Sequence, residues 1–320
     1  MDGRELSRPR LLITGAGGFC GEHACRYFAS AGWEVTALVR QLRLGGGSRW
    51  LDDVDKVLSG DLSLPEEANA ALAAAQPQYV LHMAGKNAVG PSWSDPGDTL
   101  ANNVMGTVNL LEAVRRIDRG SLNCRVLVVG SMLRFPLPAG GEAPEPPHPY
   151  SLSKTLQVLT ARSWSALYGM DIVVAEPSNL IGPGRSAGLC SLLARYTAAV
   201  ERAAAGISAR PQPMRLSSRS ETRDLLDVRD AMSAYELLLR HGGKGGIYPV
   251  ASGVMRTLGE LADIFTSLAS YPLEFAVGDS AAQSPSPADC SAIRSLGWSP
   301  IIPLVQSLED ALEDARRAAG

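Results

Sequence analysis

The sequence predicts an α/β fold, a mainly parallel sheet with helices on both faces and a smaller lobe built from the C-terminal half. Three observations carry this. Strand-length apolar runs alternate with helix-length runs through the first half of the chain. Runs such as LLIT and VLVV are unbroken rather than alternating, the pattern of strands buried on both faces. Gly15, Gly18 and Gly21 sit three apart in LLITGAGGFCG, behind the first strand and at the head of a helix.

The elements follow in order. Residues 11–14 read as the first strand, 22–30 as a helix that Gly32 ends, and 34–39 as a second β-prone run. Asp61, in SGDLS, falls at a further strand end. Pro65 opens an alanine-rich helix reaching residue 75, and 79–84 reads as a strand. Helical spacing over 103–117 sets Val104, Val108, Leu111 and Val114 on one side. A strand at 125–130, a helix at 153–167 and a strand at 171–175 complete the βα rhythm. Near Pro177 the segments become irregular, with helices expected at 189–205, 228–240, 258–270 and 304–318. This gives a dinucleotide-binding domain over 1–176 and a lobe over 177–320, some of whose segments return to the first domain. The proline-rich stretch 136–149 reads equally as a surface linker or a lid.

Composition narrows the function classes. The chain has 320 residues, 45% apolar and 20% charged, with a formal net charge of -3. That is ordinary globular composition, and no basic stripe points to nucleic acid. Apolar stretches are strand-length or broken by Gly and Pro, so no membrane span is expected. The opening MDGRELSRPR does not read as a secretion signal. Five scattered cysteines and four dispersed histidines predict neither disulfides nor a metal site, and a cytoplasmic home is expected.

The chemistry-bearing residues come next. In a strand–turn–helix setting, the first glycine tolerates positive φ, the second lets a phosphate approach the backbone, and the third lets helix and strand pack closely. Free N–H groups of the helix then face a pyrophosphate. The second strand ends in ALVRQLR, with Val39 where an NAD enzyme carries an acid for the ribose. Arg40 and Arg43 suit a 2′-phosphate instead, so NADP(H) is favoured and NAD(H) is the alternative. Asp61 reads as an acceptor for the adenine amino group or as a helix cap. Tyr150 and Lys154, in YSLSK, occupy adjacent turns of one helix face. A cationic lysine there is expected to lower the phenol's pKa and make it a usable acid or base. Ser131 ends the RVLVVGS strand, placed to hold a carbonyl or to cap a turn.

TGAGGFCG, NNVMGT, VVGS and YSLSK together resemble the extended short-chain dehydrogenase/reductase family, in its nucleotide-sugar branch, over about residues 10–310. The resemblance implies a Rossmann domain with a seven-stranded sheet, a sugar-nucleotide lobe and a homodimer formed through two sheet-covering helices. It implies Ser131, Tyr150 and Lys154 as the catalytic set. The cofactor set it implies is Gly15, Gly18, Phe19, Cys20, Gly21, Arg40, Arg43, Asp61, Leu62, Met83, Ala84, Gly85, Lys86, Asn103, Tyr150, Lys154 and Pro177. Lys86, Ser131, Met132, Asn179, Arg185 and Arg223 are the implied substrate contacts, and no metal is implied.

Three departures refine this. Met132 and Leu133 stand where dehydrating members carry Asp-Glu, which argues against a 4,6-dehydratase. Glu176 replaces a family arginine before the PxNxxG segment, and SPSPAD replaces an Arg-Pro pair. Within the branch, HMAGKNAVGPSWSDP, GPGRSAGL and RDLLDVRD look most like reductases of GDP-linked 4-dehydro-6-deoxymannose. The implied reaction reduces a C4 ketone. A nucleotide-sugar 4-epimerase and a non-catalytic, cofactor-binding regulatory protein are the alternatives.

Overall fold

Apolar runs closed by Gly, Pro or a polar turn become the strands, and the segments between them become the covering helices. The computed structural model describes residues 8–41, 49–117, 123–138, 140–280 and 285–319; Arg43 lies outside them. Two compact units emerge. One comprises the described residues of 1–176 together with 232–248, the other those of 177–231 together with 249–319.

The first unit runs β1 (Arg10–Thr14), α1 (Phe19–Ser30), β2 (Glu34–Val39), β3 (Lys56–Ser59), α2 (Pro65–Ala75) and β4 (Tyr79–His82). Two short helices, α3 (Val89–Ser94) and α4 (Pro96–Leu100), lead through a π-helical turn, Ala101–Met105, into α5 (Gly106–Ile117). Then come β5 (Arg125–Val129), α6 (Pro149–Tyr168) and β6 (Ile172–Pro177). The described part of 136–149 before α6 holds no strand and joins a helix only at Pro149.

The second unit supplies β7 (Asn179–Ile181), α7 (Leu189–Ala204), β8 (Met214–Leu216) and β9 (Thr222–Asp227). Helix α8 (Val228–His241) and strand β10 (Ile247–Val250) span the 232–248 segment. The chain ends with β11 (Met255–Thr257), α9 (Leu258–Leu268), β12 (Phe275–Val277), α10 (Ser291–Ser295) and α11 (Leu304–Ala319). The short strands β7, β8, β11 and β12 have three residues each and no periodicity to announce them.

Seven strands form the main sheet in the order β10-β6-β5-β4-β1-β2-β3, and the pairings from β3 through β6 are parallel. The 3-2-1-4-5-6 core of that order is the dinucleotide-binding arrangement. Its order reverses between β1 and β4, so the ligand crevice is expected at their carboxyl ends. An apolar core around Leu12, Val80, Leu110, Val126 and Val174 fills one face of the sheet, and Leu11, Ile13, Phe28, Leu81 and Val173 are buried outside it. The returning segment is tied in through Glu236, which accepts from the Tyr27 hydroxyl at 2.8 Å and the Trp33 indole at 3.0 Å. The Arg240 guanidinium lies 4.5 Å from the centroid of the fully buried Trp33 ring. In the second unit β9 lies between β11 and β7, over a separate core that includes Ile181, Leu193, Leu225, Phe265 and Leu312.

Candidate active site

The glycine turn is built by contact distance. Gly15 has φ +72°, and a Cβ there would stand 2.8 Å from the Ala84 nitrogen. A Cβ on Gly21 would stand 2.6 Å from the Ala16 Cα, so the third glycine is what lets α1 start against the turn. Gly18 caps α1 with no side chain bonded to the free N–H groups, and Phe19 and Cys20 form its first residues. This backbone cradle suits a pyrophosphate.

Around it, the predicted cofactor residues are held by polar contacts. Asp61 accepts from the Ser63 N–H at 2.9 Å in a turn, while Leu64 is the N-cap of α2, so the cap reading of Asp61 falls away. Burial opposes ionisation of Asp61, but Ser63 and Arg40 outweigh it and hold the carboxyl below its ordinary pKa. Arg40 sits 3.5 Å from that carboxylate and also donates to Asn102. Leu62 turns its side chain into the core. Lys86 pairs with Asp98 at 2.9 Å. Asn103, in the π-helical turn, accepts from Lys86 N–H at 2.7 Å and donates to Lys86 carbonyl at 2.9 Å and Ser153 Oγ at 2.8 Å. Met83, Ala84 and Gly85 form the intervening loop, with Met83 and Ala84 donating N–H groups to Thr14 Oγ1. Pro177 ends β6.

Tyr150 and Lys154 occupy the first two turns of α6. His148 caps that helix by accepting the Ser151 N–H through Nδ1 at 2.9 Å, and Pro149 fits its first turn. The Tyr150 N–H bonds Ser92 Oγ at 3.1 Å. The phenol is buried, and the Ser131 hydroxyl is close enough to favour its ionised form. Ser131 also caps its own turn, accepting the Leu133 N–H at 3.1 Å. Lys154 is buried and donates to the Val129 carbonyl at 3.1 Å and to Gln157 Oε1 at 2.8 Å.

The electrostatics correct one expectation. Desolvation raises the Tyr150 pKa, the Ser131 hydroxyl only partly offsets it, and the Lys154 charge is not among the causes. Desolvation pushes Lys154 itself down to about 8. At neutral pH the site therefore holds a neutral phenol beside a mostly protonated lysine, a proton donor rather than a phenolate base.

Two polar contacts have no signal in the sequence. Glu176 is buried and paired with Arg134 from the loop behind Ser131. His82 is buried between Thr14 Oγ1 at 2.8 Å and Thr107 Oγ1 at 2.9 Å. Met132 and Leu133 offer no titratable group, and Leu133 is half exposed.

In the second unit, Asn179 on β7 donates to the Asp224 carbonyl at 3.0 Å. It is in register with Leu225 of β9, while Arg223 of β9 faces Arg256 of β11, so Asn179 and Arg223 share one sheet face. Arg223 pairs with Glu221 at 2.7 Å. Arg185 is not brought to them. It lines a cavity of about 460 Å³ between α7 and α11 with Arg195 and Arg202, and neither Asn179 nor Arg223 lines that cavity. Among the described residues there is no metal-holding group of His, Cys, Asp and Glu, and no helix long and apolar enough to cross a membrane.

Comparison with known proteins sets these geometries in a family. Residues 11–251 match the model of the NAD dependent epimerase/dehydratase family. The chain belongs to that family. GDP-6-deoxy-D-mannose reductase of Pseudomonas aeruginosa is 31% identical over 95% of this chain and 96% of its own. UDP-glucose 4-epimerase of Rhizobium meliloti is 24% identical over 96% and 97%. Among solved structures, RMD from Pseudomonas aeruginosa complexed with NADPH superposes with a TM-score of 0.79 at 30% identity, covering 97% of this chain and 99% of that one. The Thermus thermophilus UDP-glucose 4-epimerase complex with NAD gives a TM-score of 0.79 at 24% identity over 97% and 99%, a likeness of fold. The expected Rossmann sheet is thus present in this family member.

The Arg134–Glu176 pair makes a measurable prediction. Arg134→Met leaves a buried carboxylate without its cation and should cost roughly 1–3 kcal/mol at pH 7. Burial raises the Glu176 pKa, so the variant's carboxyl takes up a proton as pH falls, and the loss should shrink between pH 7 and pH 5. Glu176→Gln added to Arg134→Met should restore most of the loss. Urea denaturation of the wild type and the two variants measures this; equal losses in single and double variants would refute the pairing.

Proposed function

We propose that the protein is an NAD(P)H-dependent reductase of the C4 ketone in a nucleotide-linked 4-keto-6-deoxy sugar, with a GDP-linked sugar as substrate. The observation that carries this is the buried Tyr150 phenol, held neutral by desolvation and influenced by the Ser131 hydroxyl, a pair suited to deliver a proton to an oxygen becoming an alkoxide. An epimerase would use the same residues but must begin by oxidising an alcohol, with the phenol acting first as a base. The reductase named among the relatives supports the choice of reduction.

The residues fit a dinucleotide. The Gly15–Gly21 cradle excludes side chains from the backbone, and the head of α1 offers uncapped N–H groups. Phe19, Cys20, Asp61, Leu62, Met83 to Lys86, Asn103 and Pro177 are the remaining contacts in this proposal, with Arg40 on the 2′-phosphate side. When bound, NADPH supplies the hydride. Ser131 holds the substrate carbonyl, Tyr150 Oη gives its proton to the C4 oxygen, and Lys154 stabilises the charge left on the phenol and holds the ribose. Asn179 and Arg223 are the proposed sugar-nucleotide contacts of the second unit, and Met132 and Lys86 those of the first.

Incubation with GDP-linked 4-keto-6-deoxymannose and NADPH should give the alcohol, assigned by NMR. Tyr150→Phe should bind NADPH but lose about 10²–10⁴-fold in turnover. Turnover should also fall above about pH 8, as Lys154 loses its proton. Interconversion of UDP-hexoses without ketone consumption would overturn the reductase in favour of an epimerase.

Arg40 lies at the surface, already beside an acid, and its value to a 2′-phosphate is a charge-assisted bond. Arg40→Ala should raise the KM for NADPH about tenfold and leave that for NADH nearly unchanged. Equal changes for both cofactors would remove Arg40 from cofactor choice.

The homodimer is proposed through α5 and α6, on which Met105 at the head of α5 and Leu159 and Leu167 of α6 are exposed. Sedimentation should show a dimer that Leu159→Glu converts to monomer. An unchanged dimer in that variant would place the interface elsewhere.

A further inference from the structure

Lys154 ends in a buried place with no carboxylate to balance it. Its two bonds go to neutral oxygens, the Val129 carbonyl and Gln157 Oε1. Gln157 is itself fully buried on α6, three residues after the lysine, and its amide has one partner, Thr107 Oγ1 at 3.0 Å.

The bonds beyond Thr107 have determined directions. Thr107 donates its hydroxyl proton to the Asn103 carbonyl at 2.7 Å. It must therefore accept from both Gln157 Nε2 and His82 Nε2. A His82 ring protonated at Nε2 accepts at Nδ1, and Thr14 Oγ1 donates there. The Thr14 oxygen accepts in turn from Met83 and Ala84 N–H at 3.2 and 3.1 Å. Each proton in the string has one destination, and the string ends at Thr14, the residue before Gly15.

We propose that Gln157 is the positioning residue of Lys154: its oxygen holds the ammonium, and its amide anchors that oxygen through Thr107 and His82 to the ends of β1 and β4 beside the glycine turn. This rests on the reading of Lys154 as a member of the catalytic set. Helix spacing alone sets the lysine one turn from Tyr150; Gln157 fixes where the far end of its four-carbon stem lies.

The titratable groups that bear on Lys154 are Cys20 of α1 and His82 of β4, with Tyr150 a turn earlier on α6. Desolvation pushes the Cys20 thiol up to about 12 and His82 down to about 3, and it raises Tyr150. Cys20 and His82 are therefore neutral around pH 8, where Lys154 titrates, and a change in its titration on altering Gln157 reads the amide contact.

The chain has only four lysines, Lys56, Lys86, Lys154 and Lys244, so ε-¹³C-lysine NMR of the full protein can follow each one, with Lys154→Met giving the assignment. Gln157→Met keeps the side-chain volume and removes the acceptor. It should lower the Lys154 midpoint by about one pH unit, the tenfold change in proton affinity within reach of one charge-assisted bond. Gln157→Glu places a charged oxygen at the same reach and should raise the midpoint by at least as much. Thr107→Val frees the glutamine amide and should lower it by less, and it carries the test with Gln157→Glu if Gln157→Met does not fold. An unchanged midpoint in Gln157→Met, or shifts of the same sign in the Met and Glu variants, would overturn the proposal, the second because packing alone would then explain it. The titration needs no turnover. Inactivity on the 4-keto sugar with opposite midpoint shifts would count against the reductase and leave the role of Gln157 standing.

Discussion

The imidazole of His82, pinned between two threonine hydroxyls, is the constraint on which the first unit's site depends. It crosses from β4 to β1 at Thr14 and reaches α5 at Thr107. These strands are the neighbours between which the sheet order reverses. Parallel strands exchange evenly spaced backbone bonds, but the bonding stops where the strands end and the ligand crevice opens. At that point the hydroxyl–imidazole bridge takes over, and Thr14 also gathers the first N–H groups of the Met83–Lys86 loop. A second proton on Nδ1 would face a hydroxyl oxygen that already accepts from Met83 and Ala84 N–H, so burial and bonding both keep the ring neutral.

The same pull toward the uncharged form acts on the Tyr150–Lys154 pair. Lys154 and Tyr150 are buried on adjacent turns, and desolvation acts on each toward its uncharged form. For the phenol that form is the acid, and for the lysine it is the free amine. The two demands pull apart as pH rises: the phenol keeps its proton while the lysine loses one. A lysine held by neutral oxygens rather than by a carboxylate stays easily titrated, and it adds no second charge to bury beside the phenol.

Much of the fold was legible because buried parallel strands are unmistakable. LLIT, the 34–39 run and VLVV declared themselves by composition, and the three glycines by spacing. Strand β3 left only a hint at Asp61, since KVLS is neither long nor fully apolar. His148 and Pro149 look like turn formers in the sequence, yet one caps α6 and the other opens it, so the helix starts ahead of the expected 153. Tyr150, Lys154 and Ser131 were found through a motif, which reports position along the chain. Gln157, Thr107 and His82 had no such signal: their roles arise from partners 25 to 68 residues away in sequence. Arg185 shows the converse, a motif residue that the fold directs to a different cavity from the one its motif suggested.

The Arg134–Glu176 pair sets a rule for recombination between relatives. The loop behind Ser131 and the end of β6 are separated by an entire helix in sequence, yet they meet as a cation and a buried anion. A chimera that kept Arg134 and imported a strand ending in a cation would set two like charges against each other. One that kept Glu176 and imported an uncharged loop would bury a lone carboxylate. The two segments are exchangeable only as a set, so a crossover placed anywhere between them, however conservative it looks residue by residue, should yield poorly folded offspring.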